Sequence, residues 1–121
     1  MKKIMIVDDE EAILEMYKSV LVSNYQVLTV ADGETGLATA LKERPDLIYL
    51  DIIMPKLNGL DVLKKLKERS ETAEIPVVML TNLPQDASAD KAKSLGAVDY
   101  LVKVENEPNV IAQKTEGYVG K

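Results

Sequence analysis

Five side chains able to do chemistry stand where short apolar runs stop. Ile4-Met5-Ile6-Val7 gives way to Asp8-Asp9, Leu47-Ile48-Tyr49-Leu50 to Asp51, Val77-Val78-Met79-Leu80 to Thr81, and Tyr100-Leu101-Val102 to Lys103. Runs of this kind read as buried strands. In open parallel sheets, ligands bind beyond the carboxyl ends of the strands, so parallel pairing would bring three carboxylates, a hydroxyl and an ammonium to one rim. Taken singly, each has a plainer explanation. Asp51 could merely open a turn, Asp8, Asp9 or Thr81 could cap a helix, and Lys103 could be a solvated surface lysine. The repetition of the pattern at four strand tips favours a shared site. Clustered carboxylates repel unless a positive charge sits among them or one stays protonated. Oxygen donors without imidazole or thiolate point to a hard cation, and Mg²⁺ fits best. Such a metal beside a lysine and a hydroxyl would neutralise charge on a phosphoryl group transferred in line. The acceptor would be an aspartate, which forms an aspartyl phosphate, and Asp51 is the best placed.

The elements that must position these groups alternate along the chain. Ile4 to Val7 is the first strand, and Glu10 to Val22 is a helix with Ile13, Leu14, Tyr17, Val20 and Leu21 on one face. Gln26 to Ala31 mixes polar and β-branched residues and reads as a strand near an edge. Asp32-Gly33 ends it, and Leu37, Ala40 and Leu41 mark a second helix that stops before Pro45. Asp46 to Leu50 is the third strand. A third helix starts near Asn58-Gly59, turning Leu60, Leu63 and Leu66 inward and Lys64, Lys65, Lys67 and Glu68 to water. The fourth strand spans Ile75 to Leu80, with Pro76 near its start. A small, polar fourth helix runs from Gln85 to Leu95 with Ala87, Ala89, Ala92 and Leu95 as its apolar positions, and Gly96 caps it. Val98 to Val102 is the fifth strand. A last helix, from Asn106-Glu107-Pro108 towards Tyr118, is weakened by Gly117 and Gly120. Five strands alternating with five helices predict an α/β fold with a parallel sheet covered on both faces. Residues 1–121 read as one domain.

Composition excludes several classes. There is no cysteine and no histidine, which removes disulfides, thiolate chemistry, imidazole-bound zinc and histidine proton shuttles. A net charge of -5 argues against a sequence-independent grip on nucleic acid or anionic lipid. No apolar run is long enough to span a membrane. The opening Met1-Lys2-Lys3-Ile4 starts like a signal peptide, but the acids at Asp8 to Glu11 cut it short. A cytoplasmic protein is expected.

The chain resembles a response-regulator receiver domain, the phosphoacceptor half of bacterial two-component signalling, over essentially its whole length. The residues that carry the likeness are Asp8-Asp9, Asp51 with Met54-Pro55 and Gly59, Thr81, and Lys103 preceded three residues earlier by Tyr100. The resemblance implies a flavodoxin-like, doubly wound five-stranded parallel sheet in the order 2-1-3-4-5. It implies that Asp9, Asp51 and the backbone carbonyl of Ile53 ligate Mg²⁺, with Asp8 acting largely through water. Thr81 and Lys103 would hold the phosphoryl oxygens, and Tyr100 would change rotamer on phosphorylation. The donor would be a histidine on a separate kinase or phosphotransfer protein. Output would pass to a downstream protein through the face made by the fourth helix, fifth strand and fifth helix. The protein would act as a monomer or a phosphorylation-dependent dimer, without direct contact with nucleic acid or membrane.

Three features depart from the family pattern. The lysine is usually followed by a proline in a cis peptide, whereas here Val104 follows. A trans bond and a rearranged loop are expected, because a non-proline cis bond costs about 2.5–4 kcal/mol. That leaves open whether Lys103 reaches the site. Ile53 and Leu83, two positions past Asp51 and Thr81, are bulky and apolar where the family lines the path of water to the acyl phosphate. They are expected to exclude water and prolong the phosphorylated state, unless they only pack against neighbouring loops. Finally, no DNA-binding module follows the last helix, as in a receiver that signals by docking or in a piece of a longer regulator. Two rivals stay open. An aspartate-nucleophile phosphohydrolase would carry a second acid where Ile53 stands. A degenerate receiver would dock without accepting phosphate.

Overall fold

The computed structural model describes residues 1–121. In chain order the elements are β1 (Lys3–Val7), α1 (Glu11–Leu21), β2 (Gln26–Val30), α2 (Gly33–Glu43), β3 (Leu47–Leu50), α3 (Gly59–Lys67), β4 (Val77–Thr81), α4 (Gln85–Ser94), β5 (Asp99–Val102) and α5 (Pro108–Val119). A 3-10 turn at Lys103–Glu105 separates the last two. All strands pair in parallel, in the order β2-β1-β3-β4-β5. This is the flavodoxin-like order that the family likeness implied.

The local reasons follow from side-chain type. Every residue of β3 and β4 is buried, as continuous apolar runs inside a sheet covered on both faces require. The mixed residues of β2 place it at an edge, half exposed. Alternation along the strands sends Met5, Val7, Ile48, Leu50 and Met79 to one face, packed by α2, α3 and α4. Ile4, Ile6, Leu47, Tyr49, Val78 and Leu80 line the other, packed by α1 and α5. Caps fix the helix ends. The Asn58 side chain accepts the Asp61 N–H at 3.0 Å, a bond whose loss in Asn58→Ala costs about 1 kcal/mol. At the far end of α4, Gly96 adopts φ 106. There the Gly96 N–H donates to Lys93 and the Ala97 N–H to Ala92, both at 3.0 Å, which satisfies the last carbonyls.

Several expectations need correction. Lys67 does not reach for water: its ammonium donates to the carbonyls of Ala73 at 2.9 Å and Ile75 at 2.7 Å, closing the loop between α3 and β4. In α3 the buried face is Val62, Leu63 and Leu66, while Leu60 is only partly covered. In α4 the buried positions are Ser88 and Ala92, and Ala87 is exposed. The fourth strand begins at Val77 and includes Thr81. Pro76, which has no N–H, precedes it and only accepts, from Ile48 at 3.0 Å. Helix α5 continues through Gly117 because tertiary contacts outweigh propensity. Ile111 and Thr115 are buried, the Tyr49 and Thr115 hydroxyls hydrogen-bond, and Tyr118 donates to Asp99. The helix stops at Gly120, φ 75.

Candidate functional site

The parallel sheet delivers the strand tips to one rim, and the backbone beyond each tip aims its side chain. After Asp51 the chain loops out through Pro55 and Lys56, the latter at φ 66, and returns at Gly59. A Cβ on Gly59 would lie 2.0 Å from the Asp51 carbonyl oxygen, so only glycine permits the return. Met54 is buried beneath this loop. The spacing from Asp51 to Gly59 is therefore a device for presenting one carboxylate.

Asp8, Asp51, Thr81 and Lys103 are all buried, and Asp9 is exposed at the mouth. Carboxylate oxygens of Asp8, Asp9 and Asp51 all lie within 4.8 Å of one another. The Lys103 ammonium sits between two of them, 2.5 Å from Asp8 Oδ2 and 2.9 Å from Asp51 Oδ2. The other oxygen of Asp8 accepts the Glu10 N–H at 2.9 Å. Asp9, Glu10, Asp51, Ile53, Thr81, Asn82 and Lys103 together line an open cavity of about 300 Å³.

The electrostatics follow from burial and sign. Desolvation raises the pKa of Asp8, against the lowering effect of Lys103 and the Glu10 N–H. Burial of the Lys103 ammonium works to lower its pKa, but hydrogen bonds and charge from Asp8 and Asp51 outweigh it, and the net direction is upward. Lys103 is held as a cation among acids. Three carboxylates against one ammonium leave negative charge uncompensated. The all-oxygen donor set, with no histidine or cysteine in the chain, suits a hard divalent ion.

A model of the response regulator receiver domain matches residues 4–115. The chain belongs to the response-regulator receiver family. Among curated proteins, it is 38% identical to Protein PilH of Pseudomonas aeruginosa over 114 residues, covering 92% of this chain and 93% of PilH. It is 43% identical to the alkaline phosphatase synthesis transcriptional regulatory protein PhoP of Bacillus subtilis, over 84% of this chain and 42% of PhoP. The receiver therefore spans less than half of some relatives and nearly all of others. Among solved structures, the chemotaxis protein CheY4 of Vibrio cholerae superposes with a TM-score of 0.89 at 32% identity, covering 98% of both chains. The Mn²⁺-bound form of response regulator Rcp1 gives 0.84 at 27% identity, over 98% of this chain and 94% of Rcp1.

In this receiver the expected residues fall into two groups. Asp8, Asp9, Asp51, Thr81 and Lys103 converge as the strand tips suggested. Every peptide bond is trans, the Lys103-Val104 bond included, and Lys103 reaches Asp51 nonetheless. The loop expected to rearrange is the 3-10 turn.

The two bulky residues part company. Ile53, 59% exposed, stands at the cavity wall. Leu83 does not line the cavity but packs against the apolar cluster under α4, as in the alternative of packing only against neighbours. Its N–H donates to Thr81 Oγ1 at 3.3 Å and its carbonyl accepts the Tyr100 hydroxyl at 2.9 Å. Tyr100 is turned inward, 6% exposed, and Gln85 donates to its carbonyl. Sequence reasoning missed Asn82 and Glu10, which line the cavity. Their places immediately after Thr81 and Asp9, at strand tips already singled out, were the available signal.

Proposed function

We propose that this receiver accepts a phosphoryl group on Asp51 from a phosphohistidine of a separate histidine kinase or phosphotransfer protein, and that the transfer resets a protein-docking face. The observation that carries the reading is the Lys103 ammonium lodged between Asp8 and Asp51 beside a third carboxylate and the Thr81 hydroxyl. An Asp51 carboxylate oxygen forms the new P–O bond as the donor's P–N bond breaks and the imidazole departs with the electron pair. Lys103 balances charge on the phosphoryl oxygens, and Thr81 offers its hydroxyl hydrogen to one of them. Asp9, Asp51 and the Ile53 carbonyl would hold Mg²⁺, with Asp8 beside it. The ion supplies charge neutralisation to the phosphoryl group. Ile53, at the wall, restricts water and prolongs the acyl phosphate.

The switch reading rests on a chain of hydrogen bonds. Thr81 Oγ1 accepts from Leu83 N–H, and the Leu83 carbonyl accepts from Tyr100. Drawing Thr81 towards a phosphoryl group competes with the first bond and loosens the second. That shifts a pre-existing equilibrium of Tyr100 on the face of α4, β5 and α5, where a downstream protein or a second copy would dock. No helix is long and apolar enough to cross a membrane, in keeping with a cytoplasmic role.

The reading is of a protein that phosphorylates itself and does not turn over external esters, since the position two past Asp51 is Ile53 rather than an acid. Incubation with acetyl phosphate and Mg²⁺ should label at most one group per chain, without multiple turnover of an aryl phosphate. Sustained release from the aryl phosphate would favour the hydrolase, and absence of any label would favour a docking module.

A further inference from the structure

The turn that carries Lys103 is fastened by two asparagine side chains. Asn106 Nδ2 donates to the Val102 carbonyl at 2.9 Å, and the Asn106 N–H donates to the Lys103 carbonyl at 3.1 Å. On the other side, Asn82 Oδ1 accepts the Val104 N–H at 3.2 Å. Asn82 directly follows Thr81 on the loop between β4 and α4, while Val104 directly follows Lys103 on the loop between β5 and α5. One side-chain hydrogen bond therefore ties together the residues that directly follow Thr81 and Lys103. The donor in that bond exists because position 104 is not proline, which has no N–H.

We infer that Asn82 is a positioning residue for Lys103: its carbonyl oxygen anchors the Val104 N–H and so sets where the Lys103 ammonium meets Asp8 and Asp51. A lysine stem has many rotamers, and a trans peptide after it leaves the turn freer than a ring would. Fixing the first backbone donor beyond Lys103 restricts that freedom at its base. The same bond couples the two loops, so displacement of Thr81 carries the Lys103 turn with it. The inference rests on the phosphoacceptor reading for its consequence, but the bond itself is observable without phosphate.

The test measures exchange of the Val104 amide by NMR and the rate of Asp51 labelling by acetyl phosphate with Mg²⁺, in wild type and Asn82→Ala. Loss of a single exposed hydrogen bond should speed Val104 exchange about five-fold, and labelling should slow by about the same factor. Amides inside the sheet, such as those of Ile6 and Met79, should not change. Asn82→Asp keeps an acceptor oxygen at the same reach and should restore Val104 protection. Unchanged Val104 exchange in Asn82→Ala overturns the inference, even if labelling slows, because Asn82 would then act only as cavity wall. Faster exchange with unchanged labelling also overturns it, because the bond would then not position Lys103. Failure of the phosphoacceptor reading looks different, as wild type itself would take no label.

Discussion

Lys67 and Lys103 are tethered at opposite ends of the same sheet. Lys67 is the last residue of α3, and its ammonium donates to the carbonyls of Ala73 and Ile75 just ahead of β4. Gly96 lies against its aliphatic stem, leaving no room for a larger residue without a shift. Lys103 lies past the end of β5, and its ammonium is shared by Asp8 and Asp51. Burial pushes the pKa of Lys67 down, opposed by Glu74, whereas the two carboxylates carry that of Lys103 up. At the Lys67 end, charge is matched to backbone carbonyls and the loop is closed. At the Lys103 end, three acids face one cation, and the surplus negative charge is open to a cavity. A half-buried ion that satisfies its neighbours is architecture. A cluster that leaves charge unmet is poised to bind something positive and to change state.

The sharpest way to break this comparison is to remove each ammonium in turn. Lys103→Met should slow labelling by acetyl phosphate about 100-fold, the scale on which one preorganised electrostatic contact acts. Lys67→Met should leave the labelling rate within about two-fold while lowering unfolding free energy by about 1 kcal/mol, since two carbonyls lose their donor. Equal effects on labelling would erase the distinction.

Metal binding sharpens it next. Mg²⁺ at about 100 times its dissociation constant should raise unfolding free energy by about 2.7 kcal/mol in wild type and in Lys67→Met alike. Asp9→Asn should abolish most of that gain, and a chelator should stop labelling. A stabilisation by Mg²⁺ that survives Asp9→Asn would put the ion elsewhere.

A smaller effect is expected at the cavity wall. Ile53→Asn should speed loss of phosphate from the labelled protein several-fold by admitting water. Leu83→Ala should act mainly through stability and the Tyr100 contact, because Leu83 faces the core. Equal rates of phosphate loss in wild type and Ile53→Asn would remove Ile53 from the path of water.

The smallest effect is the response to alkaline pH at the closed end. Because folding lowers the Lys67 pKa below the 10.5 of the unfolded chain, the folded state releases that proton first as pH rises. Between the two values the unfolded state binds more protons, so stability should rise with pH relative to Lys67→Met. Denaturant unfolding of the two proteins on approach to pH 10.5 checks the sign. A gap that narrows instead would mean that the carbonyls favour the charged amine more than burial opposes it.

The two ends were not equally legible in the sequence. Asp8, Asp51, Thr81 and Lys103 could be placed because each ends an apolar run, and parallel strands must put such ends together. The family likeness then supplied strand order and roles. Lys67 looked like its neighbours Lys64 and Lys65 on a helix face, and nothing local announces that residues 73 and 75 fold back beneath it. Leu83 was placed by counting from Thr81. Its direction depends on the turn after β4, where its N–H bonds back to Thr81 and the side chain goes to the core. Asn82 and Val104 are 22 residues apart, and their hydrogen bond exists only once β4 and β5 lie side by side. Tertiary pairing of backbone with side chain is what local pattern does not encode.

Mass spectrometry of the intact protein after acetyl phosphate and Mg²⁺, run on wild type and Asp51→Asn, tests the central claim most directly. One added phosphoryl group on the wild type and none on Asp51→Asn is the predicted result. An unlabelled wild type, or equal labelling of the two, would contradict it.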